Sequence, residues 1–413
     1  MADTEPRAHQ AGREAPSSIS PVEQPASYKR WPALAAAVIM QTCLGGIYAW
    51  SVFVPPLSAA FGYTAGQTQL VFGLAIACFT ITMVLAGRLL LRWGPRRTAL
   101  LGSLLFACGH LLAAMSQGHY LLLLGGIGLL GGASLGFGYV AALAIGIQWF
   151  PRHKGLVTGV AVAGFGAGAI VLSTFTSFCL HRGWPVLDII RAIGWSYGVL
   201  TALSALLLFT PPPAIDHRPH SATSASLLGD RVFRALVGGM FCGTFAGLLV
   251  IGNLKPIGLN GGLTATTAAM AISFFALGNA VGRISWGWIS DRVGYVAIPF
   301  SLVFLCGTLG LLLGARFIAL TFWTVAFLMG FGFGSCFVLY AAQTASRYGV
   351  SEVAKIYPLV FLAYGAAGLA GPPLGGHLFD LTRNYTWSIL AGMVMLLLGA
   401  VWTWRVRHAA RTD

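Results

Sequence analysis

Thr266–Gly294 reads TTAAMAISFFALGNAVGRISWGWISDRVG. Its first part, Thr266–Ile289, is long and apolar and carries one charge, Arg283, after which a turn brings Asp291, Arg292 and Gly294. A run of about 20 predominantly apolar residues is what a helix needs to cross the hydrocarbon core of a bilayer. A cationic side chain in the middle of such a helix costs about 2.5–3.5 kcal/mol on insertion scales. Arginine cannot lose its proton to escape that cost. One reading is that Arg283 snorkels, since Ser290 lies seven residues on, roughly 10 Å at 1.5 Å per residue. The other, which intramembrane charges favour, is that Arg283 meets a negatively charged substrate in a water-filled cavity.

The rest of the chain repeats this character. Of 413 residues 57% are hydrophobic and 9% charged, with a mean hydropathy of +0.78. Soluble proteins carry about 25% charged residues, so a polytopic membrane protein is expected and an enzyme is not. Twelve apolar runs stand out, at roughly 32–54, 69–91, 98–116, 120–149, 155–178, 190–210, 233–254, 266–289, 296–314, 317–342, 356–378 and 386–404. The pattern is weakest between 178 and 192, where Arg182, Pro185 and Asp188 interrupt it.

Twelve spans put both termini on one side. Nineteen of the twenty-five Lys and Arg residues then fall in the tails and the loops of that side. The opposite side receives Arg182, Arg191, Lys255, Arg316 and Arg383, and Arg283 stands alone in a span. By the positive-inside rule the tails are cytoplasmic. The formal charge of +14 thus reflects topology rather than a nucleic-acid partner.

Residues 1–30 lack an apolar run and are expected to be a disordered cytoplasmic tail. The loop 211–230, with Pro211-Pro212-Pro213, His217 and His220, separates six-helix halves at 31–210 and 231–405, and 406–413 form a short cytoplasmic tail. Two histidines in such a loop read as solvated residues rather than a metal site. The seven cysteines all fall in apolar runs without a CxxC pair, as small packing residues do. No cofactor or metal motif is present in the sequence.

The turn after Thr266–Ile289 has a counterpart two hundred residues earlier. Gly87-x-x-x-Leu91-Arg92-x-Gly94 recurs as Gly287-x-x-x-Asp291-Arg292-x-Gly294. Glycines crowd the fourth and tenth spans, and Gly159, Gly164, Gly166 and Gly168 of the fifth match Gly365, Gly368 and Gly371 of the eleventh as copies of one pattern. Small residues at helical spacing let helices approach closely in lipid. A duplicated six-helix unit implies alternating access around a site near the midplane between the halves. The turn resembles the signature of the major facilitator superfamily, in which an acid after the second helix engages an arginine and a helix N-terminus. Asp291 keeps the acid, whereas Leu91 replaces it in the first copy. The resemblance covers nearly all of residues 31–405 and implies an all-α membrane fold of twelve helices in two pseudo-symmetric halves.

A narrower resemblance is to the oxalate/formate antiporter family, bordering the monocarboxylate porters. It rests on Gly45-Gly46-Ile47-Tyr48-Ala49-Trp50-Ser51 with Val54-Pro55-Pro56-Leu57, on Gln148-Trp149-Phe150-Pro151-x-x-Lys154-Gly155, and on Asn279-x3-Arg283-x2-Trp286-Gly287. The family's oxalate carriers place one cation on helix eight and another on helix eleven. Arg283 matches the first, and Tyr364 falls at the second. One fixed charge suits one carboxylate, which an arginine fork can hold through two parallel hydrogen bonds. The expected substrates are therefore small monocarboxylates such as lactate, pyruvate or formate. Tyr48 and Tyr139 are candidate hydroxyl donors, and Phe333 and Phe337 fall where the family has an aromatic cage, with Tyr340 nearby. For any single aromatic here the competing role is packing or lipid contact.

Monocarboxylate–proton symporters of the resemblance carry an acid one turn before the arginine, and here that position is Asn279. None of the eleven acidic residues lies mid-span, so a carboxyl relay is not expected. His110, mid-span, and His377, near the end of the eleventh span, are the candidate proton sites, and a packed structural histidine is the alternative for His110. The residues are compatible with proton-linked transport, carboxylate exchange and uniport. Rival readings are an oxalate/formate-type exchanger, a drug exporter and, from another class, a non-transporting membrane sensor. The expected setting is a bacterial inner membrane, with a monomeric carrier and the lipid bilayer as its partner.

Overall fold

The computed structural model describes residues 29–150, 154–209, 224–314, 318–349 and 353–408. Most of the two tails, the central loop with His217 and His220, and Arg152, Arg316 and Glu352 lie outside them. The N-terminal half begins with α1 (Arg30–Gly45), which tightens into a 3-10 segment, Gly46–Val52. There follow α2 (Val54–Phe61), α3 (Ala65–Ala114), α4 (Tyr120–Leu123), a π-helical stretch Leu124–Gly131, α5 (Gly132–Trp149), α6 (Lys154–His181) and α7 (Val186–Leu206). The C-terminal half comprises α8 (Arg231–Asn260), α9 (Ala265–Val293), α10 (Ala297–Gly314), α11 (Ala319–Tyr348), α12 (Val353–Thr382) and α13 (Thr386–Val406).

Two apolar segments, Ala65–Ala114 and Ala265–Gly314, are 50 residues long. At 1.5 Å per residue each would measure about 75 Å, more than twice the hydrocarbon core, so each must cross twice. The bends fall at the last glycine of the duplicated turn: Gly94 has φ 76° and Gly294 φ 62°. Side chains with a Cβ rarely adopt that backbone, which is why both copies end in glycine. With eight further long apolar helices this makes twelve crossings.

Most expected spans lie where the sequence puts them, but the sixth starts at Val186 rather than 190. The charges that break the pattern are its first two turns. Asp188 and Arg191 pair at 2.9 Å on the exposed face, an i,i+3 arrangement with the acid favourably near the helix N-terminus. At the start of α8, Asp230 accepts hydrogen bonds from the Val232 N–H (2.8 Å) and the Tyr348 hydroxyl (2.6 Å). Burial pushes this carboxyl up, but those bonds and Arg347 at 3.7 Å outweigh it and hold the group below its usual range.

Small residues set the helix spacing. Gly278 and Gly282 of α9 lie against the backbone of Phe327 and Phe331 of α11, and Gly330 and Gly334 of α11 against that of Phe275 and Asn279. A Cβ at Gly334 would lie 2.7 Å from the Asn279 carbonyl oxygen. Overpacking a fitted contact costs about 1–3 kcal/mol. Gly330→Val should therefore lower the unfolding midpoint of the purified carrier by several degrees, read by a thermal melt in detergent. An unchanged melt would mean the two helices are free to move apart.

The halves meet along α3 with α12 and α6 with α9. Among the described residues, the hydrogen bonds that join them cluster away from the termini. Asp380 of α12 accepts from the N–H groups of Ala65 (2.9 Å) and Gly66 (2.8 Å) at the start of α3. Gln69 Nε2 donates to the Gly252 carbonyl (2.6 Å), and His181 meets Thr266 at 3.1 Å. The bundle is thus sealed at the far end, opposite the tails.

Candidate functional site

The crossing of α9 and α11 fixes Arg283. Asn279, one turn earlier and 3% exposed, accepts a 2.9 Å hydrogen bond from its Nε–H. The guanidinium carbon lies 4.4 Å from the centroid of the Phe337 ring, a distance at which the ring's quadrupole attracts the cation. Both contacts orient the fork and leave its terminal nitrogens without a protein partner among the described residues. No carboxylate lies within ion-pair distance of it there.

The surroundings are aromatic and come from both halves. Tyr48, from the 3-10 end of the first crossing, and Tyr364 of α12 share a hydrogen bond of 2.7 Å between their hydroxyls. Either one donates, so the other keeps a free O–H. Tyr48, Tyr139, Tyr357 and Tyr364 all lie within electrostatic reach of the Arg283 charge. Phe79 and Phe165 pack edge-on against Tyr139 at 5.4 and 5.5 Å between centroids. Phe361 lies 5.1 Å from Tyr364, and Phe337 5.5 Å from it. The chamber therefore offers one fixed cation, hydroxyl donors and apolar walls.

The structure gathers Arg283, Asn279, Tyr48, Tyr139, Tyr364 and Phe337 into this chamber, with Phe333 behind them. Phe333 is fully buried and lies 6.3 Å from Tyr48 and 5.7 Å from Phe275, so it acts as a wall. Tyr340 turns instead toward Gly239, away from the guanidinium. His110 also lies elsewhere: it stacks on Phe106 at 4.0 Å and bonds the Phe106 carbonyl at 2.9 Å. It lines a separate apolar cavity with Trp50, Phe53 and Leu172, inside the N-terminal half. His377 is exposed near the far end of α12. In the duplicated turn Gly87 and Gly287 sit beside exposed Arg92 and Asp291, and Arg292 lies 3.4 Å from the centroid of the Trp288 ring. Asp291 has no hydrogen-bond or ion-pair partner among the described residues. Phe79, Phe165, Tyr357 and Phe361 belong to the chamber and were not singled out by sequence. Their only signal was their place on the second, fifth and eleventh spans.

The Major Facilitator Superfamily model matches residues 33–372 and, in a second alignment, 236–413. The chain belongs to the Major Facilitator Superfamily. Within it, the chain is 30% identical over 392 residues to human monocarboxylate transporter 11, covering 89% of this chain and 80% of the relative. It is 26% identical over 373 residues to the oxalate:formate antiporter of Oxalobacter formigenes, covering 87% and 86%. A bacterial homologue of the human lysosomal transporter Spinster, solved inward-facing and unoccupied, superposes with a TM-score of 0.72 at 16% identity, over 94% of this chain and 99% of that one. That likeness is one of fold.

For a multi-pass transporter of this superfamily the Asn279 contact has a measurable consequence. A hydrogen bond involving a charged group is worth about 1.5–3 kcal/mol. Asn279→Leu keeps the branched shape but frees the guanidinium, and should raise the KM for substrate about tenfold, as read from the concentration dependence of uptake. An unchanged KM would show that Phe337 alone orients the fork.

Proposed function

We propose that this protein carries small monocarboxylates of the lactate, pyruvate or formate kind across the bacterial inner membrane by alternating access. The observation that carries this reading is Arg283, a half-buried guanidinium without an acidic partner among the described residues, held in a chamber between the two halves. A carboxylate fits its two terminal nitrogens through parallel charge-assisted bonds, with Tyr139 and the free hydroxyl of the Tyr48–Tyr364 pair as further donors. Tyr364, where oxalate carriers of the resembling family have a second cation, leaves a dianion with one charge uncompensated. The excess of Lys and Arg near the tails supports a cytoplasmic tail side, and with the far end sealed this conformation then faces inward. A paired, neutralised site can close more readily than one holding a lone charge, which favours reorientation of the loaded carrier.

Coupling to a proton is part of the proposal, although Asn279 replaces the acid one turn before Arg283, so no carboxyl at that position carries the proton. The test is uptake of labelled L-lactate into proteoliposomes, with and without an inward proton gradient and with internal carboxylate present or absent. Acceleration by the gradient alone is expected. Dependence on internal carboxylate without response to pH would establish exchange instead. That second reading is supported by the likeness to the oxalate:formate antiporter, and stronger competition by oxalate than by acetate would favour it. Absence of uptake under every condition would exclude lactate.

A further inference from the structure

The far half of α8 holds a charge that carboxylate binding at Arg283 does not use. Lys255 is 5% exposed and is the one lysine or arginine buried to that degree among the described residues. It has no hydrogen bond or ion pair there. Protein covers its stem, while the ammonium nitrogen keeps some access to solvent, five residues before the helix ends at Asn260.

Its direction follows from its neighbours on α8. A Cβ at Gly247 would meet Phe333 and one at Gly258 would meet Phe322, both on α11, while one at Gly252 would meet Gln69 and Phe72 of α3. At 3.6 residues per turn Lys255 projects between these two faces, on a stripe with Thr244, Leu248 and Ile251. α8 also meets Gly46–Val52 of the other half, a segment that touches both flanking elements: Tyr48 lies 6.3 Å from Phe333 and Trp50 donates to the Thr68 carbonyl of α3. Lys255 therefore points to the seam between the halves. It lies eight residues beyond Gly247, roughly 12 Å farther from the tails than the Phe333 wall.

The same end of the seam is lined by buried polar side chains, among them Ser51, Gln69 and Asn253. A permanently shut interface satisfies such groups or replaces them with apolar ones. An interface that parts and fills with water in each cycle can keep them. A lysine standing in that water offers a mobile ammonium with three donors to an incoming anion.

We propose that Lys255 is a second anion subsite, at the far end of the path, which takes a small carboxylate when the halves part there and passes it to Arg283. The hand-over rests on the carboxylate reading of Arg283, but binding at Lys255 does not. The chain has four lysines, Lys29, Lys154, Lys255 and Lys355, so amine labelling of the purified full-length carrier can be read peptide by peptide with three internal controls. An acylating ester is expected to modify Lys255 slowly, and L-lactate or formate to slow it at least threefold further, in the wild type and in Arg283→Gln alike. Lys255→Gln should raise the KM for uptake from the far side about fivefold, and Lys255→Arg should restore it. No labelling of Lys255, or labelling indifferent to both anions, overturns the proposal. Protection that vanishes in Arg283→Gln also overturns it, because Lys255 would then only report closure driven from Arg283. Protection retained alongside undiminished uptake in Arg283→Gln would sink the Arg283 reading and leave Lys255 standing.

Discussion

Arg283→Gln should lower substrate affinity at least about thirtyfold and bring uptake close to background, with the carrier still folded. Removing one partner of a desolvated charge pair costs about 2–5 kcal/mol in comparable interfaces, and each 1.4 kcal/mol is about a factor of ten. The fold is spared because no carboxylate of the described residues pairs with Arg283, so none is left stranded. Removing the half-buried charge also removes its desolvation cost, and the thermal midpoint should stay level or rise. Arg283→Lys is the sharper control. It keeps the charge but loses the planar fork, the Nε–H bond to Asn279 and the fit over Phe337, so it should recover only part of the lost affinity. Uptake, equilibrium binding and a thermal melt on the same preparations check all three expectations. Undiminished uptake in Arg283→Gln would falsify the assignment of the site.

Arg283 and its aromatic chamber differ in how far the sequence could reveal them. A charge in an apolar run is visible without a structure, because its energetic anomaly is local. The duplicated Gly87–Gly94 and Gly287–Gly294 turns are equally visible, since only glycine fits the bends at Gly94 and Gly294. Tyr48, Tyr139, Tyr364 and Phe337 followed from family motifs and helix position, and they do converge on Arg283. Phe79, Phe165 and Phe361 could not be reached that way. A phenylalanine that walls a cavity and one that faces lipid obey the same hydrophobic rule, and only packing tells them apart. His110 illustrates the converse: its titration range drew attention, but the Phe106 carbonyl and ring occupy it in a different cavity. The start of the sixth crossing shifted for a local reason, because an exposed Asp188–Arg191 pair resembles a loop in composition while stabilising a helix start.

Gly73→Val should trap the carrier with its far end open, losing transport without losing the fold. Gly73 of α3 lies against the backbone of Gly368 of α12, and a Cβ there would also come within 3.3 Å of Pro373 Cγ. Farther along the same pair, Asp380 holds the Ala65 and Gly66 N–H groups at 2.9 and 2.8 Å. These contacts join one half to the other, so each half can fold without them. A bulky side chain at Gly73 therefore penalises the sealed state alone. Taking the upper overpacking cost of about 3 kcal/mol, the ratio of open to sealed carriers shifts by about a hundredfold. Turnover needs both states, so uptake should fall by a similar factor. The melt should stay close to that of the wild type, in contrast to Gly330→Val, whose crowding lies within one half. Lys255 supplies an independent readout, because a seam held open exposes it and its acylation should accelerate. If Gly73→Val transports normally, α3 and α12 must separate by some route other than opening at Gly73 and Gly368, and the seal would have to be placed elsewhere along the seam.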